Sequence, residues 1–433
     1  MSNDEDLKQE FEAALEAAKN EPENPENWDN LEILAGSMDD PEGVAKAYKA
    51  VLATPIDKKL ASELGQRAIQ FHQEWFGEDP AGLEEILKKV LEIDPEEETA
   101  FGRLSVILTV AERWDELFGL YDQMIEAAGT KKRKVKLLDE AAQVAKDVAG
   151  APEKAIDYLK QLHPLRPEDE ALATSLEKLL EKHERWNDLI DLWTSRLDSL
   201  EGKPRLEIRA HIAECWLDKL SNPEKALGAT QGLLEDEEHN EVGLKLLERI
   251  AKTPETPAQV RDGAMNLLRF SCQATERLRE FVRIIEETLE LVDAEKKKDL
   301  HREAGDLLTK VGDAPAAMTH FTTVLALEPS SSVTQEKLRQ LAEDSGDFTT
   351  YAQGVAAAAE NAKDVSRNAE LLSEAAQTYV EKLKDDNAAV ELYQKALSQE
   401  GISPIVVLSL GRRLRELLAR LERHGELLDV LEK

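Results

Sequence analysis

Apolar positions along this chain recur at helical spacing: Leu7, Phe11 and Leu15 fall every four residues on one stripe near the amino end. Turn residues break such stripes at regular intervals, which predicts short helices laid down in succession. The second helix of each pair serves as a ruler. One flavour opens at a turn residue, as in Pro41-Glu-Gly-Val, Pro80-Ala-Gly-Leu, Pro152-Glu-Lys-Ala-Ile, Pro223-Glu-Lys-Ala-Leu, Ala316-Ala-Met-Thr-His-Phe and Asn387-Ala-Ala-Val. Proline suits a first helical turn, where its missing N–H has no partner to lose. The other flavour reads Arg113-Trp-Asp-Glu-Leu and Arg185-Trp-Asn-Asp-Leu, with weaker relatives at Arg277-Leu-Arg-Glu-Phe, Asp347-Phe-Thr-Thr-Tyr and His424-Gly-Glu-Leu-Leu. The two flavours alternate.

One position per helix gives Val44, Leu83, Leu117, Ala155, Leu189, Ala226, Phe281, Ala317, Tyr351, Ala389 and Leu428, with steps of 39, 34, 38, 34, 37, 55, 36, 34, 38 and 39 residues. All but one step fit a helix–turn–helix repeat. Within a unit, Trp28, Leu31, Val44, Tyr48 and Val51 are echoed by Phe101, Leu104, Leu117 and Tyr121. Asp94-Pro95, Arg166-Pro167 and Glu328-Pro329 stop second helices before the next unit begins. In period, spaced residues and closing proline the chain resembles the tetratricopeptide-repeat family over essentially its whole length. The resemblance implies an all-α fold, a right-handed α-α superhelix of about 11 helix pairs, whose first helices line a concave side. It implies protein binding and says nothing of which partner.

The longer units depart from that pattern by about four extra residues between helices, as in Lys146-Asp-Val-Ala-Gly-Ala-Pro152, and carry small residues in the first helix, as in Glu303-Ala-Gly-Asp. Small residues let helices approach closely. The 55-residue step holds Lys252-Thr-Pro-Glu-Thr-Pro257, two prolines that no helix interior accommodates. The expectation is a helix over 240–251, a loop, and a helix over 257–272. That divides the chain into an array over 1–250, an irregular joint over 251–275 and a second array over 276–433. The joint reads either as a tolerated insertion or as a hinge or partner notch. The first stripe reads as a lone capping helix, and the last, Leu428-Asp-Val-Leu-Glu-Lys433, as an array stopping in mid-pattern.

Composition supports amphipathic helices, with 42% apolar, 33% charged and 5% aromatic residues. The formal net charge is −33. It is uneven, since residues 1–100 hold 26 acidic and 9 basic side chains. Such a field disfavours nucleic acid and anionic lipid and attracts a basic protein surface, though it also serves solubility alone. The acidic start lacks the pattern of a secretory signal and no run of about 18 apolar residues occurs, so the expected location is cytoplasmic, without membrane insertion. Cys215 and Cys272 are the only cysteines and read as small core residues.

Candidate chemistry is sparse. No phosphate-binding glycine loop, nucleophile elbow or zinc motif is present, and no cofactor is expected. His211 and Cys215 have i, i+4 spacing, but two ligands do not make a metal site. Acidic runs at Glu96–Glu98 and Glu235–Glu238 precede helices, where negative charge favours the coming N-terminus. Lys131-Lys-Arg-Lys134 with Lys136 is the one dense basic cluster, and Lys296–Lys298 and Arg412-Arg-Leu-Arg415 are smaller ones. By the resemblance, partner-contact candidates on first helices are Lys132, Arg133, Lys136, Asp139, Gln143, Lys146, Thr174, Lys178, Glu181, Glu207, Glu214, Arg302, Asp306, Ser373 and Gln377. The clustered Lys, Arg and Asn set that clamps a C-terminal carboxylate in the family is missing, which disfavours that co-chaperone role. The expected function is a non-catalytic scaffold binding proteins or peptides. The alternatives are a structural subunit that self-associates through its carboxyl end, and the regulatory part of a longer chain bearing an enzyme domain.

Overall fold

The structure, a computed structural model, describes residues 2–77 and 82–432. Pro80, expected to open a second helix, and Lys433, where the pattern stops, lie outside the described residues. The described residues form 24 α-helices and no strand. The lone first helix is α1 (Ser2–Asn20). Pairs follow as α2 (Pro25–Met38) with α3 (Pro41–Leu52), α4 (Lys58–Phe76) with α5 (Leu83–Ile93), α6 (Glu98–Val110) with α7 (Trp114–Ala127), α8 (Lys131–Gln143) with α9 (Pro152–Leu162), and α10 (Glu170–Lys182) with α11 (Trp186–Arg196). Next come α12 (Gly202–Glu214) with α13 (Pro223–Asp236), then α14 (Glu241–Lys252), which has no mate, and α15 (Ala258–Ala274) with α16 (Leu278–Thr288). The remainder is α17 (Ala294–Lys310) with α18 (Ala314–Leu327), α19 (Ser332–Ser345) with α20 (Phe348–Asn361), α21 (Val365–Thr378) with α22 (Asp386–Leu397), and α23 (Pro404–Arg420) with α24 (His424–Glu432). The chain divides into two compact units, residues 1–189 and 190–433.

Within each unit a helix packs on its chain neighbours, and some also pack on the helix two further along, as α3 does on α5 and α18 on α20. No pair can bury its apolar face alone, and stacking joins those faces into one continuous core. In the second unit that core runs from Ala226 through Phe281, Phe321, Tyr351 and Tyr393 to Leu418. In the first unit Trp28 stacks flat on Tyr48 with ring centroids 4.4 Å apart, and Phe101 meets Tyr121 edge-on at 5.3 Å. The residues that carried the repeat in the sequence therefore fill the core, apart from Leu428, which is exposed.

One turn recurs between first and second helices. A single residue takes the left-handed conformation, and the next begins the second helix. The left-handed residue is glycine at Gly150, Gly312 and Gly346 but not at Asp39, Glu112, Glu184, Ser221, Glu276, Lys384 and Glu422. The following residue returns its N–H to a carbonyl of the first helix, five back in Arg113 to Leu108 at 2.9 Å and Arg277 to Cys272 at 2.8 Å, and six back in Ala151 to Ala145 and Asn222 to Trp216 at 2.8 Å and Asp385 to Tyr379 at 3.0 Å. Where that residue is Asp40, Asn222, Asp313, Asp347 or Asp385, its side chain caps the second helix. A side chain in left-handed backbone costs roughly 1–2 kcal/mol. Glu276→Gly is therefore expected to raise stability by about 0.5–1 kcal/mol, net of glycine's greater unfolded-state freedom, as read from thermal or urea unfolding. Glu276→Val should lower it.

The Arg-led flavour adds an ionic staple to this turn. Arg113 reaches Glu116 one turn ahead and Glu84 of α5 behind, at 2.6 Å. Arg185 likewise joins Asp188 and Glu153 of α9, and Arg277 joins Glu280 and Glu241 of α14. The Arg113 guanidinium holds the Glu84 carboxyl down at about 2. The recurring Arg of the sequence pattern is thus a tie from one second helix to the helix two before it.

In three of the longer units the extra residues between helices wind into a π-helical turn that prolongs the first helix, at Val144–Val148, Cys215–Lys219 and Tyr379–Leu383. Ala149 bonds back to Val144 O at 2.9 Å and Leu220 to Cys215 O at 3.1 Å. Wide turns of this kind keep backbone N–H groups satisfied while absorbing added residues, which an open loop would leave to water.

The irregular segment consists of α14, a turn over 253–257, and α15, which pairs with α16. Arg261 of α15 is buried, 5% exposed, and no carboxylate grips it. Its guanidinium donates to four backbone carbonyls: Ala251 and Thr253 at 2.9 Å and Pro254 at 3.2 Å in the turn, and Leu291 at 2.9 Å beyond α16. Thr256 also ties its hydroxyl to Ile250 O at 2.9 Å. One side chain thus fastens the two-proline turn to the end of the next pair.

Candidate partner-binding surfaces

The first helices expose the side chains that the resemblance singles out, and none of these is buried. Lys132, Lys136 and Gln143 on α8, Lys146 on its π turn, Thr174, Lys178 and Glu181 on α10, and Glu207 on α12 are exposed. Asp139, Glu214, Arg302, Asp306, Ser373 and Gln377 are half-buried. Several are engaged within the array. Asp139 lies 3.5 Å from Arg166, and Lys136 lies 3.9 Å from Glu140 on its own helix. Glu207 lies 3.4 Å from Lys203. Arg302 bridges Asp299 at 2.9 Å and Glu328 at 3.1 Å, Asp306 pairs with Lys337 of α19, and Gln377 accepts from Arg413 of α23 at 2.9 Å.

The basic cluster opens α8, capped by Thr130, whose hydroxyl accepts from the Arg133 N–H at 3.2 Å. Its members differ in use. Arg133 turns inward, 3.2 Å from Glu98 of α6 and 3.4 Å from Pro95 O, and so braces two first helices together. Lys131 and Lys132 stand in solvent.

A concavity lies where the sequence reading assigned no site residue, between α2 and α4 of the first unit. It encloses about 590 Å³ between Pro22, Pro25, Trp28 and Phe71 on its apolar side and Asp29, Glu32, Glu63 and Glu74 on its polar side. Arg67 of α4 is the one cation in that lining. It is spent on α2, gripping Glu32 at 2.8 Å through two nitrogens and reaching Asp29 as well. The Tyr48 hydroxyl donates to the same Glu32, and burial followed by that carboxylate pushes the phenol well above its ordinary range. With Arg67 so committed, and with Lys59 lying 3.5 Å from Glu63, Glu23 and Glu74 keep the groove negative above an aromatic floor. The charge asymmetry of the first hundred residues was the sequence signal for it; the position was not readable, because the lining comes from two helices and the loop before them.

In the second unit His301 of α17 and His320 of α18 face each other with Nδ1 atoms 2.9 Å apart, and His320 Nε2 lies 3.3 Å from Glu286 of α16. Burial, and then the neighbouring imidazole, lowers the His301 pKa. One nitrogen of the facing pair must donate and the other accept, so a single N–H lies between the two rings. His211 lies beside Trp193 with ring centroids 5.7 Å apart, and Cys215 is buried. Among the described residues no three His, Cys, Asp or Glu side chains converge to hold a metal ion, and no helix is long and apolar enough to cross a membrane.

No protein-family model and no curated protein matches the chain. Solved structures match at low identity. The Naa15/Naa10 complex bound to HypK-THB is 13% identical over 99% of this chain and 67% of that one, with a TM-score of 0.25. A tetratricopeptide repeat protein from Parabacteroides merdae is 16% identical over 66% of this chain and 98% of that one, with a TM-score of 0.20. The TPR2AB domain of yeast Sti1, in a complex with pHSP90, is 13% identical over 57% of this chain and 97% of that one, with a TM-score of 0.27.

Proposed function

We propose that this all-α array of tetratricopeptide-type helix pairs is a non-catalytic scaffold that binds proteins along its first helices, and that the groove between α2 and α4 takes a cationic segment. The groove carries the reading: five carboxylates, Glu23, Asp29, Glu32, Glu63 and Glu74, face one arginine that is already paired. A Lys- or Arg-rich segment would gain carboxylate contacts at the rim and apolar contact at Trp28 and Phe71.

The test is binding of a labelled Lys/Arg-rich peptide to the whole chain, with a Glu-rich peptide of equal length as its counterpart. The cationic peptide should bind and the acidic one should not bind in this groove. Glu63→Lys with Glu74→Lys should weaken the cationic complex about tenfold or more, and salt near 0.5 M should do the same because rim charges are screened. Unchanged binding in the double variant would sink the groove assignment. The basic cluster is probed separately by Lys132→Glu with Lys136→Glu, leaving Arg133 in place because reversing it would cut the brace to Glu98.

A further inference from the structure

Neighbouring first helices of the first unit are tied side by side. Arg67 of α4 holds Asp29 and Glu32 of α2, and Ser62 of α4 reaches Glu97 at the start of α6 at 3.4 Å. Arg133 of α8 lies 3.2 Å from Glu98 of α6, and Arg166, just before α10, lies 3.5 Å from Asp139 of α8. One exposed stripe can therefore be followed from helix to helix by register. On α4 it is Glu63, Gln70 and Glu74, which line the groove. With the same spacing of seven and four, 36 residues on, it is Thr99, Val106 and Val110 of α6, and 72 residues further it is Ala171, Lys178 and Lys182 of α10. The structure fixes that second step independently: the caps Glu97 and Asp169 and the left-handed residues Glu112 and Glu184 also stand 72 residues apart.

The chemistry of the stripe changes along this row. It is acidic on α4 and apolar on α6, where Val106 is 52% and Val110 81% exposed. On α10 it is cationic, and neither Lys178 nor Lys182 pairs with a carboxylate among the described residues. Between them α8 shows Lys136, Gln143 and Asp147, one charge of each sign. Arg103 of α6 marks where the acidic stretch ends. Its counterpart Arg67 is held by Glu32 and Asp29, which stand 35 and 38 residues before it. At those distances before Arg103 stand Ala68 and Gly65. Arg103 accordingly makes no ion pair among the described residues, and its Nε is buried without a hydrogen-bond partner.

We propose that the segment held in the α2–α4 groove continues across α6 to α10, so that the partner presents three parts in order: cationic at α4, apolar at α6 and acidic at α10. The first part rests on the groove reading; the other two stand on α6 and α10. Charge complementarity sets the order, because Lys178 and Lys182 repel a uniformly basic segment and Glu74 repels a uniformly acidic one. Packed helix axes lie about 8–10 Å apart, so the three steps from α4 to α10 span about 24–30 Å. An extended chain at about 3.3 Å per residue crosses that span in about eight residues.

The test titrates three labelled peptides against the whole chain at low salt by fluorescence anisotropy. One carries a Lys block, a Leu block and a Glu block, with its charged blocks centred about eight residues apart. The second keeps the Lys block and has Ser elsewhere, and the third keeps the Leu and Glu blocks with Ser in place of Lys. The three-block peptide should bind about tenfold or more tighter than either half. Lys178→Glu with Lys182→Glu should weaken the three-block and Leu–Glu peptides about tenfold and leave the Lys–Ser peptide unchanged, as should Val106→Ser with Val110→Ser. All four positions are exposed, so the unfolding curve should stay where it is. Glu63→Lys with Glu74→Lys should instead weaken the Lys–Ser peptide and spare the Leu–Glu one. A three-block peptide no tighter than the Lys–Ser peptide, a uniformly Lys peptide of equal length that binds as well, or an indifferent Lys178 and Lys182 variant would overturn the proposal while leaving the groove reading in place. Failure of the Lys–Ser peptide to bind would remove the groove reading and the joined segment with it.

Discussion

Arg261→Leu is expected to unfold at markedly lower urea than the parent chain, with a loss on the order of 3 kcal/mol or more, and hydrogen exchange should place the loss between residues 251 and 293. The leucine fills much of the volume and keeps the helix propensity of α15, so the loss isolates the guanidinium. Four backbone carbonyls lose a charged donor at once. A buried acceptor left without a partner costs about 1–3 kcal/mol, and Thr253 O alone keeps a second donor, the Thr256 N–H at 3.1 Å. Some of these carbonyls regain water once the turn loosens, which keeps the total below the sum. Arg261→Lys should recover only part of the loss, because an ammonium group cannot span both the turn and Leu291 O as the planar fork does. A variant as stable as the parent would mean that the joint is held by packing alone.

Gly305→Val should cost about 3 kcal/mol, for the opposite reason. An added β-carbon at Gly305 of α17 would stand 2.8 to 3.0 Å from three atoms of the Phe321 ring of α18, and that ring is fully buried. Overpacking of this kind typically costs about 1–3 kcal/mol, with a β-branched side chain at the upper end. Phe321→Leu makes its own cavity and is destabilising by itself, yet it clears the space. The two changes together should therefore cost less than the sum of their separate losses, measured as a double-mutant cycle on the urea midpoints. Strict additivity would show that the two helices are not in contact at that point.

These two sites mark the limits of what the chain declares about itself. Gly305 was legible: a small residue in Glu303-Ala-Gly-Asp reads as close helix approach, and Phe321 is the bulk it makes room for. The period, the tyrosines and the closing prolines were legible because burial imposes a spacing. The helices on either side of the two prolines were legible for a steric reason, since proline cannot continue a helix. Arg261 was not, since an arginine beside Asp262 reads as a wet surface and backbone carbonyls leave no mark in a sequence. The π turns were equally hidden, because the residues at 144–148, 215–219 and 379–383 share no common sequence pattern. Left-handed glutamates at 112, 184 and 276 escape any rule based on glycine. Of the candidate surfaces, the first-helix side chains could be placed by register, but which of them the array consumes in its own ion pairs depended on neighbours about 30 residues away.

The arginine staples have a consequence for how such a chain can be cut and rejoined. Arg113 and Arg185 stand 72 residues apart and hold the same relation to an acid at the start of the preceding second helix, Glu84 for one and Glu153 for the other. Excising residues 113–184 would bring Arg185 against Glu84 with the cut edges unchanged in chemistry. The joint between blocks is thus generic while the exposed first-helix side chains are individual, which makes the two-pair block an interchangeable part whose removal or duplication alters what is held without altering how the array is fastened.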